Sequence, residues 1–183
     1  MLEGKMVNLR IMEKEDLPLF QEWNNNPEFG GDYFPPTQNS RAELEKALEA
    51  NSFELKFFII EKKDGSKIGY IFHLNMLTYF VMGKLLEIGY ALLPSERGKG
   101  YSTEAAKLMV DYLFLSKDVA RIQATTHSKN VISQKVLEKV GFKKEGTLRK
   151  PVVMRGEWTD MTLYSILREE WKEPKILTRT EKK

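Results

Sequence analysis

The chain of 183 residues is 42% hydrophobic and 30% charged, the balance of a folded domain rather than a disordered one. It has no Cys and only the separated His73 and His127, which excludes a disulfide framework, a thiol nucleophile and a thiolate or histidine-rich metal site. The net charge of +3 lies in the last twelve residues, where Lys172, Lys175, Arg179, Lys182 and Lys183 outnumber Glu173 and Glu181, so the body of the chain carries no basic face for nucleic acid.

The length suits one domain with a sizeable core, expected over residues 1–171, with 172–183 as a basic, flexible tail. No apolar run reaches the length of a membrane span and Met1-Leu2-Glu3-Gly4 is not a signal peptide, so the expected location is the cytoplasm. Lys5 to Ile11 alternates as a first strand, and Glu13 to Trp23, carrying Leu17, Leu19, Phe20 and Trp23, reads as a short helix. Asn24 to Asn39 is dense in turn formers and predicts a long functional or mobile loop. Ser40 with Glu43 forms a capping box for a helix reaching about Ala50.

Phe53 to Glu61 and Lys67 to Asn75 read as strands joined by the hairpin signal K-K-D-G-S. Leu85 to Leu93 is the next strand, followed by a glycine turn and a helix with Ala105, Leu108, Met109, Tyr112 and Leu113 on one stripe. Val119 to Thr126 predicts a strand, and Val131 to Val140 a helix stopped by Gly141. Phe142 to Thr147 and Met161 to Leu167 close the chain as strands around a turn at Arg155-Gly156. The order is that of a single mixed α/β unit, without repeats or linkers.

The most informative stretch is E-I-G-Y-A-L-L-P-S-E-R-G-K-G-Y-S-T-E, from Glu87 to Glu104. A strand that turns on Gly98 and Gly100 into a helix presents unpaired amides and a partial positive charge, an arrangement that binds phosphate, although Gly-x-Gly alone equally describes a generic two-glycine turn. A triphosphate loop fails on spacing, because Leu93 stands where its first glycine belongs and Gly100 where Ser or Thr holds magnesium. A dinucleotide fingerprint fails at Thr103.

The match R-G-K-G-Y-S after L-L-P resembles the pyrophosphate loop [QR]-x-x-G-x-[GA] of the GNAT N-acetyltransferase superfamily, met by Arg97 and Gly100, with Ser102 in place of the last small residue. About thirty residues on, Asn130 to Phe142 reads N-x-x-S-x-x-[VL]-L-E-K-x-G-F, similar to the ribosomal-protein-alanine acetyltransferase branch. The resemblance spans Val7 to Trp171. It implies a central, twisted, mostly antiparallel sheet, splayed at the cofactor strand and flanked by helices. It also implies acetyl-CoA as acyl donor, and as acceptor a primary amine: a protein N-terminal α-amine, a polyamine or an antibiotic amine. A silent acyl-CoA-binding module is the other reading, and an exposed final strand would allow a homodimer.

By the same resemblance, the backbone of Arg97, Gly98, Lys99, Gly100, Tyr101 and Ser102 holds the diphosphate, with Arg97 and Lys99 as added charge or plain surface cations. Leu92 and Leu93 lend backbone groups to the pantetheine arm and also serve as core strand, while Asn130 bonds a pantetheine amide, caps its helix, or does both. Leu137 stands where many relatives have an acidic tyrosine, so Ser133 is the candidate donor to the departing sulfur and Glu87 the candidate base. Glu28, Asp32, Tyr33 and Phe34, with the turn Pro151 to Trp158, are expected to flank the acceptor, Trp158 itself being read as core packing.

Overall fold

The computed structural model describes residues 1–50, 55–76 and 84–176. In chain order the elements are β1 (Leu2–Glu3), β2 (Val7–Ile11), α1 (Leu17–Asn25), α2 (Pro27–Gly30), α3 (Arg41–Ala50), β3 (Lys56–Lys62), β4 (Lys67–Asn75), β5 (Leu86–Leu92), α4 (Tyr101–Ser116), β6 (Arg121–His127), α5 (Val131–Val140), β7 (Lys143–Met154) and β8 (Glu157–Leu167). The strands form one sheet in the order β1-β2-β3-β4-β5-β6-β8-β7, antiparallel at every pair except β5 and β6.

That parallel pair opens the sheet. β5 and β6 are in register only at Leu86–Ile122 and Glu87–Gln123, and then diverge. Each strand is held on its outer side, β5 by β4 and β6 by β8, so the gap persists without loss of the ladder. The mixed α/β fold with a splayed sheet is thus the one expected.

Alternation along the strands gives the sheet two apolar faces. One packs Ile60, Ile71, Ile88 and Leu92 against Ala105, Leu108, Met109 and Leu113 of α4 and Leu137 of α5. The other packs Ile59, Tyr70 and Ala91 against Leu17, Phe20 and Trp23 of α1, Phe29 of α2 and Leu44 of α3. Truncating a fully buried side chain such as Leu108 costs about 2–5 kcal/mol, through lost transfer energy and the cavity left behind. The capping box at α3 forms, Glu43 accepting from the Ser40 amide at 2.7 Å and donating its own amide to Ser40 Oγ at 3.2 Å.

Four boundaries differ from those read along the sequence. Asn24 to Asn39 is partly helical, because α1 runs to Asn25 and Pro27 starts the one-turn α2. β7 runs on to Met154 through Arg149-Lys150-Pro151, absorbing the proline in a bulge between Leu148 and Val152, with Lys150 at φ 52°. The last strand in sequence, β8, lies inside the sheet, and the exposed edge is β7. The ordered body also passes residue 171: buried Asp111 accepts from Trp171 Nε1 and from the Lys175 and Ile176 amides, each at 2.8 Å. The start of the expected strand at Phe53 and residues 177–183 of the expected tail lie outside the described residues.

Candidate active site

The gap between β5 and β6 is a cavity of about 610 Å³. The start of α4 forms one end, α5 one wall, and the α2 segment with the β7–β8 strands the other end. Of the residues expected to hold the cofactor or do the chemistry, Leu93 and Lys99 are absent from its lining; of those expected to flank the acceptor, Glu28 and Trp158 are absent as well.

At the α4 end the chain turns through Gly98 at φ 77° and Gly100 at φ 90°. A Cβ at Gly98 meets nothing within 4 Å, so this glycine answers to backbone conformation rather than to crowding. Gly100 is the N-cap of α4 and supplies no side-chain acceptor, which leaves the first amides of Tyr101 and Ser102 for an anion. Lys99 pairs with Glu96 at 2.9 Å outside the cavity. The sequence reading missed Lys135 and Lys139, one helical turn apart on α5, which also line the cavity.

Arg97 points away from the loop. Its Nε donates to Leu92 O at 3.1 Å and its Nη2 to Phe29 O, with Glu28 O at 3.4 Å. Burial lowers its pKa from the ordinary guanidinium value. The side chain therefore fastens α2 to β5, and only the backbone of Arg97 belongs to the turn.

The polar edge of β5 follows from its register. Leu93 donates its amide to Ile68 O and accepts from the Glu96 amide, both at 2.9 Å, so its backbone is committed within the protein. Alternation in the antiparallel ladder then turns the backbone groups of Ile88, Tyr90 and Leu92 toward the gap. An extended chain bearing amides can pair along that edge as an added strand.

On the acceptor face of the sheet the carboxylate of Glu87 receives Thr125 Oγ1 at 2.5 Å and Gln123 Nε2 at 2.8 Å. These bonds hold it at the point where β5 and β6 part. On the opposite face Asn130 caps α5, accepting the Ser133 amide at 3.0 Å. Ser133 Oγ lies 3.2 Å from the hydroxyl of Tyr90, another cavity residue that the sequence reading passed over. Burial pushes that phenol up to about 12, its bond to Ser133 working the other way. Leu137 is buried core, as its side chain requires.

At the far end Asp32, Tyr33 and Phe34 line the cavity, whereas Glu28 does not; its amide is capped by Asn26 at 2.9 Å. Arg155 of the β7–β8 turn donates to Gly31 O at 2.9 Å, which joins the two segments expected to flank the acceptor. The Tyr33 ring lies 5.0 Å from that of His127, whose Nδ1 accepts the Lys129 amide at 3.0 Å. Trp158, read as core, is 64% exposed: it sits in the outward register of the hairpin, paired with Val153. No group of three or more His, Cys, Asp or Glu side chains among the described residues is arranged to hold a metal ion. No helix among them is long and apolar enough to cross a membrane.

An open strand edge leading to a helix start with two left-handed glycines, in a cavity also lined by two lysines, suits an extended, amide-bearing substrate that ends in phosphates. Comparison with known proteins agrees. The acetyltransferase (GNAT) domain family model matches residues 7–143. The probable N-acetyltransferase YjcK of Bacillus subtilis is 36% identical, over 91% of this chain and 97% of its own. A spermidine N-acetyltransferase from Vibrio cholerae, solved with CoA and spermine, shares the fold with a TM-score of 0.80 at 23% identity, covering 92% of this chain and 99% of its own. The ribosomal-protein-S5-alanine acetyltransferase from Vibrio fischeri does so with a TM-score of 0.77 at 23% identity, covering 93% and 98%. The chain belongs to the GNAT family and is an N-acetyltransferase whose acetyl donor is acetyl-CoA.

Proposed function

We propose that this enzyme acetylates the α-amine of a peptide or protein N-terminus. The observation that carries the reading is the composition of the acceptor end. Tyr33, Phe34, Phe72, Met154 and Met161 line it, and Glu87 and Asp32 are the acids among its lining residues. A single amine beside a small apolar group matches a carboxylate in an apolar chamber. A polyamine, with several cations spaced along one chain, calls for more carboxylates than two. The polyamine reading has its own support, since the spermidine N(1)-acetyltransferase of Escherichia coli is 24% identical over 90% of this chain.

In the proposed mechanism the amides from Gly98 to Ser102 hold the diphosphate, the Arg97 amide being donated to Pro94 O at 3.3 Å, and the β5 edge at Tyr90 and Leu92 aligns the pantetheine arm. Asn130 caps α5 and bonds the same arm. Glu87, held by Gln123 and Thr125, takes the proton of the attacking amine through a water. The nitrogen attacks the thioester carbon, the C–N bond forms, and the C–S bond breaks with its electron pair leaving on sulfur. Ser133 Oγ donates a hydrogen bond to that sulfur as charge builds there. Fixing amine and thioester together supplies much of the rate before either group acts.

The test is thiol release from acetyl-CoA with a panel of acceptors: peptides with small N-terminal residues, spermidine, and an aminoglycoside. The expected result is kcat/KM for a peptide at least about tenfold above the others, equivalent to about 1.4 kcal/mol of transition-state binding. Spermidine ranking first would overturn the acceptor assignment, and tight acetyl-CoA binding without turnover of any amine would make the chain a binding module.

A further inference from the structure

Ser133 has one hydroxyl proton and two places to put it. Resting on the role proposed for Ser133 above, the useful direction is into the cavity, toward the sulfur. An isolated serine hydroxyl rotates freely and also finds backbone acceptors of its own helix, which wastes that proton.

The structure supplies a reason for it not to. Tyr90 projects from the α4–α5 face of β5; its hydroxyl lies 3.2 Å from Ser133 Oγ, a pair in which either oxygen can donate, and reaches the Ser133 carbonyl as a donor only at the longer distance of 3.4 Å. Its neighbours on that face, Ile88 and Leu92, are buried core, so the ring is packed and its oxygen has little freedom to turn elsewhere. Both residues line the same cavity. Tyr90 is half-buried and burial raises its phenol pKa, so at neutral pH the hydroxyl carries its proton and can donate.

We infer that Tyr90 is a positioning residue for acetyl transfer: its hydroxyl donates to Ser133 Oγ and thereby directs the Ser133 proton at the departing sulfur of acetyl-CoA. The sulfur keeps the electron pair of the broken C–S bond, accepts the Ser133 hydrogen bond, and later takes its proton from solvent. No proton needs to leave Tyr90. Leu137, one turn further along α5, offers no proton, and the phenol enters from the strand, three residues after Glu87, and acts through Ser133.

One feature of the geometry makes this specific. The backbone of Tyr90 faces the gap at the edge where the pantetheine arm pairs, while its side chain reaches α5. The residue that helps align the donor therefore also orients the hydroxyl for that donor's leaving group.

The test is a double-mutant cycle on the full chain with Tyr90→Phe, Ser133→Ala and the pair, reading kcat, KM for acetyl-CoA and thermal stability. Tyr90→Phe is expected to lower kcat about tenfold, with KM for acetyl-CoA unchanged within twofold and melting within a few degrees of the parent. In the Ser133→Ala background the same change is expected to cost less than about twofold, because the hydroxyl it orients is gone. An equal loss in both backgrounds would show that Tyr90 acts apart from Ser133 and would overturn the inference alone. Unchanged kcat in Tyr90→Phe with reduced kcat in Ser133→Ala would also overturn it while sparing the mechanism. Full activity in Ser133→Ala would remove the mechanism and the inference together.

Discussion

Arg97 stands in the turn proposed to hold the diphosphate, yet its guanidinium serves the carbonyls of Leu92, at 3.1 Å, and Phe29. Replacing it with Ala separates the two roles a cation in that position can have. Charge-assisted bonds contribute about 1.5–3 kcal/mol each when dry. More than a third of this residue faces solvent, so about 1 kcal/mol for each of the two bonds is the better figure. The loss is then about 2 kcal/mol, or about 4–8 °C in melting temperature for a domain of this size. Because the Phe29 carbonyl is the link to α2, the KM for the amine is expected to rise as well. Differential scanning calorimetry and acetyl-CoA titration calorimetry provide the assay, and acetyl-CoA Kd is expected to stay within about twofold. A melting temperature within 1 °C of the parent, with acetyl-CoA bound tenfold more weakly, would show that Arg97 neutralises phosphate and refute the fastening role. Arg97→Lys, with a point charge in place of the fork, is expected to recover at most about half of the stability.

Two further outcomes follow from the geometry. Gly100→Val places a β-branched residue at φ 90° in the turn proposed to hold the diphosphate, and acetyl-CoA affinity is expected to fall at least about tenfold. Gly141→Ala at φ 115° is the control: it lies at the end of α5 with similar backbone strain and is expected to leave that affinity alone, so equal weakening in both would sink the loop assignment. Asp16, 2% exposed, is opposed by burial but bonded by Arg10, Lys67 and the Glu13 amide, which together hold its carboxyl well below the usual carboxylate range. A depressed folded pKa adds stability that is fully present above the unfolded value of about 3.9 and lost as pH falls below it. Asp16→Asn is therefore expected to be about 3 kcal/mol less stable at neutral pH and to lose less on acidification below about pH 4, and parallel melting curves against pH would contradict the assignment.

Local grammar made the donor half of the molecule legible. Gly98 and Gly100 before an apolar helical stripe, Asn130 and Gly141 at the two ends of α5, and Ser40 with Glu43 each write a structural instruction within a few residues. Motif spacing then separated one kind of phosphate site from two others. What stayed hidden depends on meetings between distant segments. Nothing near Arg97 in sequence announces the Phe29 carbonyl, 68 residues earlier, and nothing near Tyr90 announces Ser133. Trp158 misled because a tryptophan is usually buried, while hairpin register decided otherwise. The Pro151 break in β7 hid a strand that continues through a bulge, since tertiary pairing with β8 outweighs local propensity. Gly89 shows the reverse case: its place in E-I-G-Y becomes intelligible only with the Phe72 ring lying across it, where a Cβ would come within 2.4 Å of Cζ.

The interior place of β8 bears on how this enzyme comes into being. β6 has two ladder contacts with β5 and a full row with β8, so until residues 157–167 arrive it is barely attached to the rest of the sheet. A chain synthesised from its N-terminus can assemble β1 to β5 with α4 early, because those contacts are made among the first two thirds of its length. Insertion of β8 between β6 and β7 must come last, and closing such non-local pairings is the slow kind of step. The wall of the cavity formed by β6 is then completed only once β8 has paired with it. Catalytic competence waits on that pairing, and the exposed edge of β6 is the surface a chaperone, or a second nascent chain, would meet before it.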